Sequence, residues 1–137
     1  MEGTAVIGLL LDTHTWIWAL ERPERLGARA RKQIEDTGND LYLSPISIWE
    51  AHHLSQRRRL RHKGTFQEWL DAAFQSLPLQ EAPFNFAVAR EATQIQLPQP
   101  DIGDLLLAAT AIAFGHTLVT TGAQLLAHPA IKTLRAD

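Results

Sequence analysis

A chain of 137 residues, 45% hydrophobic and 20% charged, is long enough to bury one core and too apolar to stay disordered. It has no cysteine, which removes disulfides, thiolate nucleophiles and cysteine-held zinc from the chemistries to consider. A formal net charge of −2 means that contact with nucleic acid must rest on a local basic patch, and no apolar run approaches a membrane span, so a soluble, cytoplasmic protein is expected.

In chain order, residues 6–11 read as a buried strand ending at Asp12, and residues 15–20 as a helix with Trp16, Ile17, Ala19 and Leu20 on its apolar face. Pro23 and Leu26-Gly27 break the pattern before a second helix over residues 28–37, which Gly38-Asn39 ends. Leu41-Tyr42-Leu43 has strand character and runs directly into Ser44-Pro45-Ile46-Ser47-Ile48-Trp49-Glu50, where a helix starts. Residues 50–60 continue it and turn basic, as Arg57-Arg58-Arg59-Leu60-Arg61-His62-Lys63. Thr65 and Glu68 have the capping-box spacing that opens another helix.

Residues 77–81 form a possible strand, and Pro83 precedes a helix through Phe84, Val88 and Ala92. Leu97-Pro98-Gln99-Pro100 must be extended. Asp101-Ile102-Gly103-Asp104 leads into a helix over residues 105–113 that is apolar nearly all round and therefore buried, with Gly115 as its stop. A strand over residues 117–121, Gly122, a short helix at Ala123–Leu126 and a strand over residues 131–134 complete the pattern. Strands alternating with helices predict one α/β domain over residues 1–137, three layers deep, with a mostly parallel central sheet.

In such sheets ligands bind outside the carboxyl ends of the strands, where Asp12, Glu50 and Asp104 fall, with Asp101 close by. Each acid also has a plainer explanation. Asp12 suits an N-cap, either Asp101 or Asp104 could cap the buried helix or simply favour its positive end, and Ser47 with Glu50 matches a capping box. Capping alone leaves unexplained why successive junctions each carry one acid, whereas gathered carboxylates suit a hard divalent cation able to activate water. Zinc held by Asp12 and His14 or by Glu50, His52 and His53 is the rival, but the His-x-x-x-His spacing of helical zinc sites is missing. His14 reads as a local hydrogen-bonding residue, His116 and His128 as surface loop residues, and the four tryptophans as core or interface residues. The basic run 57–63 is either a solvated helix end or a phosphate path.

Taken in order, Leu10-Leu11-Asp12-Thr13-His14-Thr15, the Ser44 to Glu50 stretch, the Asp101 to Ala111 stretch and Leu118-Val119-Thr120-Thr121 resemble the motifs of PIN-domain ribonucleases. The resemblance is to toxins of the virulence-associated protein C type, and it covers nearly the whole length. It implies a PIN-like fold and an Mg²⁺-dependent endoribonuclease, with Mn²⁺ as a substitute, that blocks translation. Asp12, Glu50 and Asp104 would be the catalytic metal ligands and Asp101 an additional acid. Thr13 would sit at the substrate, with Arg57, Arg58 and Arg59 along the RNA. The implied partners are RNA, a small antitoxin whose C-terminal segment crosses the groove, and a second copy of the chain. One position departs from the pattern: Gly122 stands where the family often carries a fourth acid. That departure supports an alternative, a catalytically weakened PIN-like domain acting mainly by binding RNA or antitoxin.

Overall fold

The computed structural model describes residues 6–137. Five strands, β1 (Gly8–Leu11), β2 (Asp40–Leu43), β3 (Gln80–Glu81), β4 (Thr117–Thr120) and β5 (Thr133–Arg135), form one sheet in the order β3-β2-β1-β4-β5. All the pairings are parallel, with Leu11 of β1 beside Leu43 of β2 and Val119 of β4. β1 is therefore central, and the chain turns to opposite sides of it when it makes β2 and β4. This is the topological switch at which open sheets bind ligands.

Side chains along β1 alternate between faces, so each face receives its own core. Leu9 and Leu11 join Trp16, Ala30, Ile34, Ala51, Leu70 and Val119 under α1 (Thr13–Glu21), α2 (Ala28–Glu35), α3 (Pro45–Gln56) and α4 (Phe66–Ser76). Leu10 joins Leu107, Ala108, Ala111, Leu118 and Leu125 on the other face, under α6 (Ile102–Phe114) and α7 (Ala123–Leu126). The short α5 (Phe86–Ala92) packs on α6. The expected three-layer α/β/α architecture is present.

Several local expectations change, each for a physical reason. α3 begins one turn earlier than the Ser47 and Glu50 spacing suggests. Ser44 is its N-cap, accepting from the Ile46 N–H, and Pro45 takes the first helical position, where its missing N–H costs nothing. α3 also stops at Gln56 rather than continuing to residue 60. The backbone folds back there, Arg59 and Leu60 both donating to the Leu54 carbonyl, because Leu60 is drawn into the core. Arg58 absorbs the turn at φ 59°. α5 starts after its cap Asn85 instead of at Phe84. His116 is not a surface residue: it is buried and stacked on Tyr42, ring centroids 4.0 Å apart.

Candidate functional site

Three chain segments meet at the carboxyl end of the sheet: the turn from β1 into α1, the first turns of α3, and the entry to α6. Together they wall a cleft of about 440 Å³ lined by Asp12, Thr13, Glu50, Asp101, Gly103 and Asp104. The four acids expected from sequence thus face one space.

Asp12 is both cap and cleft residue. One carboxylate oxygen accepts from the Thr15 N–H at 2.8 Å, capping α1, and the other accepts from the Thr120 hydroxyl at 2.6 Å. Thr120 is buried at the end of β4, and its hydroxyl in turn accepts from the Gly122 N–H at 3.0 Å. Cap and site, weighed as alternatives in the sequence, are compatible because a carboxylate keeps lone pairs beyond those two bonds.

Glu50 caps nothing. It lies within α3, and the buried Thr13 hydroxyl donates to its Oε1. Ser47, the supposed cap, instead lies with its Oγ 2.9 Å from that of Thr13, inside the core. Asp101 is the N-cap of α6, accepting from the Asp104 N–H at 2.9 Å, and Asp104 accepts from the Gln124 side-chain amide at 3.0 Å. Gly103 lets α6 approach α3: a Cβ there would lie 2.5 Å from Glu50 Oε2 and 3.3 Å from Asp101 Oδ1.

Gathering these acids has an electrostatic cost. Burial pushes the Glu50 pKa above its ordinary value; Asp101 and Asp104 add to the rise, while the Thr13 hydrogen bond and His14 oppose it. Asp104 is likewise raised, first by burial, then by Asp101 and Asp12, against the Gln124 hydrogen bond. A cation placed among these carboxylates would relieve that cost. Oxygen donors outnumber the His14 and His53 imidazoles that also line the cleft, and oxygen suits a small hard cation better than zinc. Among the described residues, no three His, Asp or Glu side chains already close into a ligand cage.

The basic run divides. Arg57 and Arg59 line the cleft, whereas Arg58 lies on a different surface with Ser55, Arg61 and His62. The histidine pair divides as well, His53 lining the cleft and His52 set against Phe66 at 5.1 Å. Trp16 is fully buried and meets Trp69 edge-on at 5.4 Å. Trp49, by contrast, is 64% exposed and lines the cleft, so it is not a core residue. Sequence reasoning overlooked Ser47, Gly103, Thr120 and Gln124 as supports of the acids. Only Gly103 left a signal, a glycine held between two aspartates where a helix begins.

Comparison with known proteins bears on the family and the fold. The PIN domain family matches residues 9–131. Ribonuclease VapC22 of Mycobacterium tuberculosis is 31% identical over 123 residues, 88% of this chain and 91% of that one. Among solved structures, VapBC2 of Rickettsia felis bound to a promoter DNA fragment superposes with TM-score 0.72 at 20% identity, over 96% of this chain and 100% of the other. DNA-bound VapBC from Salmonella typhimurium gives 0.64 at 18% identity, over 94% and 98%. The structural likenesses speak for the fold; the matched family and the curated relative show that the chain belongs to the PIN-domain family, among its VapC-type members.

Proposed function

We propose that the chain is an endoribonuclease, the toxin half of a type II toxin–antitoxin pair, that hydrolyses RNA phosphodiesters with a divalent cation, Mg²⁺ or Mn²⁺. The observation that carries this reading is the meeting of Asp12, Glu50, Asp101 and Asp104 in one cleft with Arg57 and Arg59 beside them. The name of the mycobacterial relative supports the activity, and the VapBC pairs among the structural neighbours support an antitoxin as partner. A second copy of the chain and a cytoplasmic location belong to the same proposal. Among the described residues no helix is long and apolar enough to cross a membrane.

In this reading Asp12, Glu50 and Asp104 would hold the cation, with Asp101 as an additional carboxylate. The bound cation supplies activation of water and neutralisation of charge on the phosphoryl oxygens. The protein's own contribution is positional. Thr120 fixes Asp12, Thr13 fixes Glu50 and Gln124 fixes Asp104, so that the carboxylates are aimed before any ligand arrives. Arg57 and Arg59 are cations in the same cleft without a carboxylate partner among the described residues, and they suit the phosphates flanking the scissile bond.

The test is RNA cleavage by antitoxin-free protein in Mg²⁺ or Mn²⁺. Chelation should stop it, and Asp12→Asn should reduce it by at least about 100-fold with the fold intact, more than the loss of a supporting hydrogen bond costs. An Asp12→Asn protein as active as wild type would sink the ligand assignment. A second reading, a weakened domain that binds RNA or antitoxin without cutting, is favoured by Gly122. The β4–α7 corner there offers the neutral Thr120 and Gln124 to the acids instead of a further carboxylate. RNA binding without cleavage, together with cleavage restored by Gly122→Asp, would favour it over the first.

A further inference from the structure

Trp49 is a large apolar side chain that the fold leaves in water. It is 64% exposed, while its neighbours on either side face inward: Ile48 packs against the core and Glu50 takes the Thr13 hydrogen bond. Its position follows from helical periodicity. Ile46, Trp49, Glu50, His53, Leu54 and Arg57 recur at the three- and four-residue steps of one helix face, and all six line the cleft. α3 therefore presents a continuous track to the cleft. It is about 16 Å long from Ile46 to Arg57, with the carboxylate in the middle, an aromatic face beside it and a cation at the far end.

We infer that Trp49 is a base-stacking platform, holding the unpaired base of a nucleotide next to the scissile phosphate while Arg57 and Arg59 take the phosphates beyond. This rests on the ribonuclease reading and adds to it a residue that positions the nucleotide beside the cut. Two features favour RNA over a protein segment at this spot. The indole shares its cleft with two guanidiniums that have no carboxylate partner among the described residues, and that pairing of an aromatic face with cations suits a base joined to its phosphate. The indole also lines the same cleft as Glu50, the carboxylate assigned to the chemistry, so one nucleotide could meet both. Stacking reads no hydrogen-bond pattern, so Trp49 selects for an unpaired, splayed base more than for its identity.

The experiment pairs Trp49→Ala and Trp49→Phe with short single-stranded RNAs carrying one abasic nucleotide at each position around the cut. Wild type should lose about 5- to 100-fold in kcat/KM at one flanking position, from the usual strength of base–aromatic stacking. Trp49→Ala should show that loss on the intact RNA and almost no further loss with the abasic one, and Trp49→Phe should recover much of it. An exposed position leaves the fold unharmed, so thermal unfolding should match wild type. Affinity for the same RNAs in an Asp12→Asn background reads the stack without any cleavage. Equal affinities with and without Trp49, or an abasic penalty that survives in Trp49→Ala, would overturn the proposal; so would a Trp49→Ala protein impaired only in antitoxin binding. A wild-type protein that cleaves no RNA in Mg²⁺ or Mn²⁺ would instead strike the ribonuclease reading, and the affinity comparison would still decide the stack.

Discussion

The two ends of the central strands make an instructive pair. At the carboxyl end, the pKa values of Glu50 and Asp104 are raised, first by burial and then by neighbouring acids. At the amino end, His116 precedes β4 and is also pushed toward its neutral form, first by burial and then by Lys132. A shifted pKa is therefore common to both ends and does not by itself mark a site. What separates them is convergence. The carboxyl end brings four carboxylates and two arginines from different elements to one open cleft, whereas His116 lies against Tyr42 and Phe114 with its Nδ1 buried and unpartnered. One end keeps its titratable groups accessible to a ligand; the other has packed its own away.

The largest break in that contrast should come from Gly103→Ala. The added methyl meets Glu50 Oε2 at 2.5 Å, so either α6 or the carboxylate must move. The atom met is the mobile end of a side chain, so the carboxylate gives way before the helix does, and the stability loss should stay below the cost of core overpacking, about 1–3 kcal/mol. The same displacement spoils the aim of Glu50, so cleavage should fall by more than the stability loss explains. Thermal unfolding and single-turnover cleavage, measured side by side below the melting temperature, would check this. Wild-type rates in a folded Gly103→Ala protein would mean that the α3–α6 approach is dispensable.

Glu50→Gln and Asp104→Asn should separate stability from function. Each keeps the side-chain shape and removes a charge that burial and its neighbours disfavour. In chelator, both variants should melt higher than wild type near neutral pH, by a few degrees on the order expected for about 1 kcal/mol in a chain of this size. Added Mn²⁺ should raise the melting temperature of wild type and much less that of the variants. A fall in melting temperature in chelator would show that the acids stabilise the fold rather than strain it.

The sequence made the layers legible because a buried helix and a buried strand carry their own periods. α6 is apolar all round, β1 is a run of leucines, and both emerged where expected. The positions of the acids were legible for the same reason, since each follows a strongly patterned element. Their supports were not. Thr13 lies 37 residues from Glu50 and Thr120 lies 108 from Asp12, and a polar residue that bonds across such a separation looks in sequence like any other threonine. The basic run misled differently. The helix was expected to run on to residue 60, but burial of Leu60 bent the chain at Arg58 and split the arginines between two surfaces.

The smallest expected effect tests the packed end. The folded pKa of His116 lies below its unfolded value of about 6.5. As pH falls through the unfolded value the unfolded chain takes a proton that the folded chain refuses, and stability is lost; above that value the group contributes no slope. His116→Phe keeps a ring against Tyr42 and removes both the titration and the buried unpartnered nitrogen. Denaturant unfolding in chelator at pH 7.5 and 5.5 should therefore show a smaller loss on acidification in the variant than in wild type. Cleavage at pH 7.5 should be unchanged, because the ring lies at the end of β4 opposite the cleft. Identical acid sensitivity in the two proteins would mean that His116 opens to water before it titrates, and the amino end would then be less tightly packed than its stacking on Tyr42 implies.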